Sequence, residues 1–520
     1  MIHKPPRSPS TKEIPSSWMA EVRLENDAVH WRAMWLSGCS AVIEQVVVSK
    51  IRVLQIGRTA IIIQDTSMLT TMQTTTAITM MKPVYSTPHP LAGDKVPLTV
   101  FDRAAFDTYV QTVRAYAAPA PSNEALKEGL RRAVAVYPHL AGRLAVDDQG
   151  RRSLHINDEG VLIVEATVSG DLADVLADGM AANFHELYTP LPEETVGPAV
   201  LQVKINRYKC GGVMIGVIFH HHVADGHSMS MFYTAWGRAV REGKDFTVPS
   251  PPFLDRAATA VPRSATPAFN HRSVEFKGRA AAAADDDAHG SKPHVVLPLD
   301  KIKTLRAQFT TEFIAGLRAR AGAGCTTFQC VLAHVWKKMT ATRGLRPEEF
   351  TQVRVAVNCR ARANPPVPAN FFGNMVLWAF PRLQVRDLLG SSYGSVAGAI
   401  RDAVARVDSE YIQSFVDFGA AADANGEELA ATAATPGTVM LPDLEVDSLL
   451  GFRFHEMDFG TGPPCAFATP DMPLDGLMVF VPSCSPPAKG GVDVFVAVAE
   501  GHVQAFQQIC YSVDCAGSKM

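Results

Sequence analysis

The chain of 520 residues has 47% hydrophobic and 19% charged residues, which is ordinary for a soluble globular protein, and its length predicts two or three domains. A formal net charge of −3 at pH 7 argues against nucleic acid or an anionic membrane surface as a partner. Nine cysteines without any paired motif spacing are typical of reduced thiols in a cytoplasmic protein.

Residues 1–70 carry no recognisable site and are predicted to be a poorly ordered N-terminal extension. The β-branched run at 46–63 is interrupted by Lys50 and Arg52, so it falls short of the ~18 apolar residues that a membrane span needs. The polar start, with acidic residues following it, is unlike a secretory signal. We therefore expect a chain that begins near Met72 to be sufficient.

Predicted strands and helices alternate from residue 73 onward. Ser122 is placed to cap a helix whose apolar face ends before Pro138. Strands are predicted at 74–84, 144–145, 154–156, 161–166 and 200–205. This alternation is typical of a layered α/β domain.

The segment 213–236 is the most informative part of the sequence. An apolar run at 213–219 predicts a buried strand, which ends in three histidines and a turn at Ala224-Asp225-Gly226. Helical spacing resumes after the turn, and Ser228 is the predicted cap of that helix. Because histidine has a reference pKa of about 6.5, His221 at the strand end is the candidate general base.

Two other kinds of site are less well supported by the same segment. His220 and His222 could share one face of a continuing strand, but a zinc site needs further ligands, and neither an HExxH nor a CxxC motif occurs. We therefore expect no metal. The run from Gly226 to Ser230 resembles a nucleophile elbow except at its last position, where serine replaces the second glycine, so a serine hydrolase is not expected.

A proline-rich and then Ala/Asp-rich segment at 249–294 predicts a crossover linker between two α/β domains. In the second half, Thr326 and Gln329 form a capping box ahead of one apolar helical stripe. Strands are predicted at 295–297, 353–357, 477–481 and 492–499, and helices at 300–309, 392–411 and 502–509.

Four motifs in order resemble those of the plant BAHD acyl-CoA-dependent acyltransferase family, over residues from about 73 to 515. His221 to Gly226 fits the family's HxxxDG, and residues 458–462 (DFGTG) resemble its DFGWG. Residues 137–144 (YPHLAGRL) resemble its YPLAGRL, and residues 357–362 with 371–374 resemble VDxRxR and YFGN. Two positions depart from the pattern, since Thr461 replaces a tryptophan and Asn358 replaces an aspartate.

The resemblance implies two chloramphenicol-acetyltransferase-like domains, at 72–248 and 295–515, with the active site in a channel between them. It implies that His221 is the general base and that Asp225 is structural and paired with an arginine, while Gly226 permits the turn. Asp458 would also be structural, shaping the CoA site, and we expect its partner to be Arg360 or Arg362. Thr461 is expected to leave the mouth of the CoA site looser.

Within the family, the sequence looks most similar to monocot hydroxycinnamoyltransferases that acylate tryptamine, agmatine or putrescine. The predicted function is transfer of an aromatic acyl group, of hydroxycinnamoyl or benzoyl type, from CoA to an amine. Ester formation with an alcohol or phenol is the alternative, and a degenerate member that binds without turnover is a third hypothesis. Acyl-CoA would be a co-substrate, with no cofactor, no nucleic acid and no membrane as partner, and the protein is expected to be a cytoplasmic monomer.

The amide hypothesis also expects an acidic group that holds any second cationic centre of the acceptor. Asp443, Glu445 and Asp447 cluster ahead of the DFGTG segment and are candidates for this role. The sequence alone favours a different interpretation, in which these three residues form a solvated acidic loop.

Overall fold

The computed structural model describes residues 73–513 except 86–87, 149, 178–183, 273, 278–294, 433, 435, 454–455, 470–471 and 485–488. It also describes the backbone of four strands in the N-terminal extension, which pair in the order β1-β2-β4-β3: β1 (Glu21–Val22), β2 (Trp31–Leu36), β3 (Ile51–Ile56) and β4 (Thr59–Gln64). The rest of residues 1–70 lies outside the described residues, so the expected poor order of the extension stays a prediction.

Between the N-terminal extension and the linker, the first half of the chain contains eight described strands and four described α-helices. The strands are β5 (Gln73–Met81), β6 (Lys95–Pro97), β7 (Tyr109–Tyr116), β8 (Arg143–Val146), β9 (Arg152–His155), β10 (Val161–Val168), β11 (Leu201–Tyr208) and β12 (Val213–His220). The helices are α1 (Val100–Ala104), α2 (Asn123–Val136), α3 (Leu172–Ala177) and α4 (Gly226–Glu242). All the strands predicted in this half are confirmed, with small shifts at their ends, and Ser122 caps α2 as expected.

The second half follows the linker and again alternates strands with helices. Its strands are β13 (Ile302–Phe309), β14 (Phe350–Asn358), β15 (Val376–Ala379), β16 (Arg382–Gln384), β17 (Leu444–Ser448), β18 (Ala466–Ala468), β19 (Leu477–Pro482) and β20 (Val492–Ala499). Its helices are α5 (Thr311–Ala321), α6 (Thr327–Thr342), α7 (Val385–Gly390), α8 (Tyr393–Ala405), α9 (Ser409–Ala424) and α10 (Glu500–Ile509).

Each half is built around one large sheet. The first sheet has the order β18-β7-β12-β11-β10-β5, so a strand from the second half completes its edge. The second sheet has the order β13-β20-β19-β17-β14-β15, with β16 also pairing with β14. Strands β6, β9 and β8 form a small third sheet. The chain thus has the two-domain α/β architecture that the resemblance implied, and β18 of the second half adds one strand to the sheet of the first.

The two faces of the second sheet have different surroundings. One face, which includes Val355, Val446 and Phe480, is buried against α6 and α8 in the core of the second half. The opposite face contributes Phe495 and Ala497 to the core of the first half, where they join residues of α2 and α4. This second face therefore looks toward the domain that carries the HxxxDG turn.

Three predicted elements of the second half differ from the structure. Residues 302–309 are strand and not helix, because all eight pair with β20 from Ile302 opposite Ala499 to Phe309 opposite Val492. The predicted helix at 392–411 is two helices, since the chain leaves α8 at Arg406 and Asp408 caps α9. The predicted strand at 295–297 is reduced to a single bridge between Val296 and Thr438.

The capping box of α6 is confirmed, with Thr326 and Gln329 each bonding the other's backbone. The linker contributes to the core of the second half, because Phe276 is fully buried there, whereas residues 278–294 lie outside the described part. None of the described helices is both long and apolar enough to cross a membrane.

Candidate active site

The HxxxDG turn connects β12 to α4 at the meeting point of the two halves. Strand β12 is buried along its whole length and ends at His220, and α4 begins at Gly226. The cap of α4 is Asp225, whose carboxylate accepts a hydrogen bond from Ser228 N at 2.9 Å. Ser228 is therefore not the cap, contrary to the prediction.

Gly226, expected to permit the turn, does so without a positive φ. A Cβ atom at this position would lie 2.8 Å from Cζ of Phe452, so a side chain here would require that ring to shift. The second half of the chain thus presses directly against the start of α4.

The partner of Asp225 is Arg360, which belongs to the segment that follows β14. The guanidinium donates from Nη1 to Oδ2 at 2.8 Å and from Nη2 to Oδ1 at 3.1 Å, and both side chains are almost fully buried. Ser228 N and Met375 N complete the carboxylate's set of four donors. Because every lone-pair direction of Asp225 is used, Asp225 cannot also orient the imidazole of His221.

The expected pairing of Asp458 with Arg360 or Arg362 is wrong. Oδ1 of Asp458 instead accepts hydrogen bonds from the backbone of Gly460 (2.7 Å) and Gly462 (2.9 Å), so the carboxylate stabilises its own loop. Both glycines have positive φ, of 102° and 111°, which explains their presence in the motif. Arg362 binds the carbonyl oxygens at the end of α8 and just beyond it.

The imidazole of His221 is partly exposed, and its Nδ1 is buried without a hydrogen-bond partner among the described residues. Its ring meets Phe106 edge-on, with centroids 6.3 Å apart. The backbone around it is firmly held, because His221 N donates to Thr108 O at 2.9 Å and Asn374 Nδ2 donates to His221 O at 2.8 Å.

A buried charge network holds the rest of this turn. Arg256, in the linker, donates to the carbonyl oxygens of His222 and Val223 and forms an ion pair with Asp102 at 2.8 Å. Asp102 also accepts from Asn374 Nδ2 at 3.0 Å. Asn374 and Arg256, which both bind Asp102, therefore hold the three successive carbonyl groups of residues 221–223. Sequence reasoning missed Asp102 and Arg256, which no local pattern distinguishes.

His220, His222 and Asp107 form a group whose possible metal-ligand atoms all lie within 4.8 Å of one another. The hydrogen bonding does not fit a metal ligand at His220. Its Nδ1 accepts from His222 N at 3.1 Å, so the neutral ring keeps its proton on Nε2, 3.3 Å from Asp107 Oδ1. Burial lowers the pKa of His222 to about 3, so that ring is neutral. Arg152 forms an ion pair with Asp107 at 2.5 Å, so this carboxylate already has a counter-charge within the protein.

The acidic residues before the DFGTG segment are not a solvated loop, contrary to the favoured interpretation. They lie at and within β17, and Asp443 is occupied by two hydrogen bonds from Gln352, each 3.0 Å long. Glu445 and Asp447, hereafter the acidic pair, lie two residues apart and so share the sheet face that looks toward the first half. Arg354 is the register partner of Glu445 and lies on the same face.

The acidic pair accepts no hydrogen bond from any residue that the structure describes, although the side chain of Glu445 is only 5% exposed. Burial raises the pKa of both carboxyl groups, and the charge of Asp447 raises that of Glu445 further. The charges of His221 and Arg354 oppose the shift of Asp447. His221 and Asp447 are therefore electrostatic neighbours across the two halves, although they lie 226 positions apart in the sequence.

The sequence of this chain is similar to those of known transferases. A family model described as "Transferase family" matches residues 71–513. Tryptamine benzoyltransferase 1 of Oryza sativa subsp. japonica is 60% identical over 84% of this chain and 97% of its own length. Tryptamine hydroxycinnamoyltransferase 2 of the same organism is 58% identical over 81% and 94%.

A solved structure shows the same fold. The crystal structure of F. graminearum TRI101 complexed with coenzyme A and deoxynivalenol superposes with a TM-score of 0.59 and 18% identity, over 80% of this chain and 97% of that chain. The fold is thus shared between proteins of low sequence identity.

Proposed function

This chain belongs to the Transferase family of BAHD acyltransferases, and we propose that it moves an aromatic acyl group from CoA to a primary amine, forming an amide. The acyl group proposed is of hydroxycinnamoyl or benzoyl type, as in the names of the two rice relatives. The product class would then be phenolamides and related aromatic amides of plant specialised metabolism.

The observation that carries the amine assignment is the acidic pair. Buried polar groups in proteins are almost always hydrogen-bonded. Glu445 is buried with only a 3.6 Å ion pair to Arg354, and the half-buried Asp447 accepts no hydrogen bond from a described residue, so the pair calls for an explanation. An ammonium group supplies three N–H donors, none of which the pair receives from a described residue, and a second positive charge beside that of Arg354. An alcohol would supply one donor and no charge, so it would leave the cost of burying an ionised carboxylate largely uncompensated.

In the proposed reaction, the ammonium of the acceptor binds at Asp447 and gives up one proton to the acidic pair or to solvent. The neutral amine attacks the thioester carbonyl, and its second proton passes to His221 as the carbon–nitrogen bond forms. The tetrahedral intermediate then collapses and breaks the carbon–sulfur bond, and the CoA thiolate takes the proton from His221. The products are the amide, free CoA and one released proton, and no acyl-enzyme is formed.

The remaining assignments are part of the same proposal. His221 is the general base, while Asp225, Gly226, Arg360, Arg362 and Asp458 are structural. Domains at 72–248 and 295–515, joined by a linker at 249–294, act together as a cytoplasmic monomer. Acyl-CoA is a co-substrate, and no metal, cofactor, nucleic acid or membrane takes part. The seven cysteines in the described part of the chain are all free, which supports the cytoplasmic location.

The test compares tryptamine with the alcohol of the same indole-ethyl skeleton, with benzoyl-CoA and coumaroyl-CoA as donors. Release of free CoA thiol gives the rate, and mass spectrometry identifies the amide or ester. We expect turnover of the amine, with kcat/KM at subsaturating amine still rising above about pH 8, because an alkyl amine has a pKa near 10.4. Exclusive turnover of the alcohol, with a plateau by roughly pH 7.5, would replace amide formation by the ester alternative.

A matched pair of variants tests the acidic pair itself. Asp447→Asn should raise KM for tryptamine by about tenfold or more while leaving KM for acyl-CoA unchanged, because it removes a charge-assisted hydrogen bond. Asp443→Asn makes the same chemical change four positions earlier, where the carboxylate is bound by Gln352, and should leave both KM values unchanged. An equal effect of both variants, or no effect of Asp447→Asn, would contradict amine binding at the pair.

A further inference from the structure

Arg354 is a cation on the same sheet face as the acidic pair. Its Nη1 lies 3.6 Å from Oε2 of Glu445 and donates to Thr432 O at 2.8 Å. Its Nε and Nη2 are buried without a hydrogen-bond partner among the described residues. The guanidinium lies over the ring of Trp378 at 4.0 Å and faces the ring of Phe106 at 5.4 Å. Phe106 in turn meets the ring of His221, so these groups line one continuous surface.

The sign and number of charges on this surface limit what can bind there. The acidic pair supplies two negative charges at most, and fewer when it retains a proton. Arg354 adds one positive charge, so the sum is at most one negative charge. An acceptor with one ammonium group matches that charge. An acceptor with a second cationic end would bring a positive charge close to Arg354 without a carboxylate to offset it.

The rings beside Arg354 supply the complementary apolar contact. Phe106 and Trp378 come from different halves of the chain and both face the guanidinium, and Phe106 also meets the ring of His221. A flat aromatic body attached to a single ammonium can pack against such rings, whereas the flexible methylene chain of a diamine gains less from them.

We propose that Arg354 is a specificity-determining residue, which restricts the acceptor to an aromatic amine with one positive charge and disfavours diamines and guanidino-amines. This inference rests on the proposed amide-forming function and adds the class of amine. Arg354 acts by cancelling one of the two carboxylates, so that Asp447 alone remains to hold the acceptor.

The test measures kcat/KM for tryptamine, putrescine and agmatine in the wild-type protein and in Arg354→Gln and Arg354→Lys. The wild-type protein should prefer tryptamine. Arg354→Gln should raise the ratio of putrescine or agmatine to tryptamine by about ten- to thirtyfold, the effect of removing one like charge at 8–12 Å with an effective dielectric constant near 20. Arg354→Lys keeps the charge and should keep the wild-type ratio.

The ratio of two substrates in one preparation does not depend on how much of the protein is folded, so a destabilised variant remains informative. Arg382→Gln is the matched control, because Arg382 also stacks on a ring, that of Phe350, but lies exposed at the edge of the sheet. Its ratio should not change. An unchanged ratio in Arg354→Gln, or a wild-type preference for putrescine or agmatine, would overturn the inference while leaving amide formation intact. A wild-type protein that acylates none of the three amines would overturn the proposed function as well.

Discussion

Replacing Asp225 by asparagine separates a structural role from a catalytic one. The carboxylate accepts four hydrogen bonds, two from Arg360 and one each from Ser228 N and Met375 N. Asparagine offers one oxygen, and its amide NH2 would face two of those four donors. Arg360 would then remain buried without a counter-charge, a change that costs about 3–5 kcal/mol in comparable buried pairs.

This loss should appear as a large fall in melting temperature. At about 2 °C per kcal/mol for a domain of this size, Asp225→Asn should lower Tm by about 6–10 °C. The kcat per folded molecule, assayed well below the new Tm, should stay within about threefold of the wild type, because Asp225 has no free lone pair for His221. Differential scanning calorimetry and CoA-thiol release on the same preparation give the two quantities.

The control is an ion pair of the same type on the surface. Asp423 accepts from Arg103 at 2.6 and 3.0 Å, but its side chain is 58% exposed, and exposed pairs contribute at most about 1 kcal/mol. Asp423→Asn should therefore shift Tm by less than about 2 °C. The structural assignment would be refuted if Asp225→Asn melted like the wild type yet lost catalysis.

Three further predictions concern the base, the extension and the acidic pair. His221→Ala should lose about 10²–10⁴ in kcat while its Tm and acyl-CoA binding persist, and near-normal turnover would reject His221 as the base. A chain that starts at Met72 should be soluble and fully active, and loss of activity would show that the preceding residues are needed. Burial raises the pKa values of Glu445 and Asp447 in the folded state. At a pH between the pKa of the unfolded state and that of the folded state, the folded protein therefore binds more protons, and the contribution of these groups to stability falls as the pH rises. Glu445→Gln should flatten the decline of Tm between about pH 5 and 8, and an unchanged slope would contradict the shift.

Local patterns predicted the elements whose cause is local. The apolar run of β12, the stripe of α6 and its capping box depend on residues within one or two turns, and all three are confirmed. Residues 302–309 show the limit of such reasoning. Ile302, Leu305 and Phe309 recur at a spacing that fits a helix, but pairing with β20, nearly 200 residues away, makes this segment a strand.

The misassigned partner of Asp458 has a similar origin. Asp225 and Arg360 are 135 positions apart, and only the packing of the two halves brings them together. The sequence offered two aspartates and two arginines without a way to choose among the pairings. The geometry decides, since Arg360 lies beside the start of α4 whereas Asp458 folds back on the amides of its own loop.

A count of protons explains why the acidic pair belongs beside His221 in an enzyme that makes amides. An alcohol arrives neutral and loses one proton as it attacks, so a single base is sufficient. An amine arrives near neutral pH as an ammonium ion and must lose two protons before the amide exists. One can pass to His221 and return on the CoA thiolate, but the other needs a second acceptor close by. We propose the acidic pair as that acceptor, because carboxyl groups whose pKa values are raised by burial can take a proton closer to neutral pH than solvated carboxylates can.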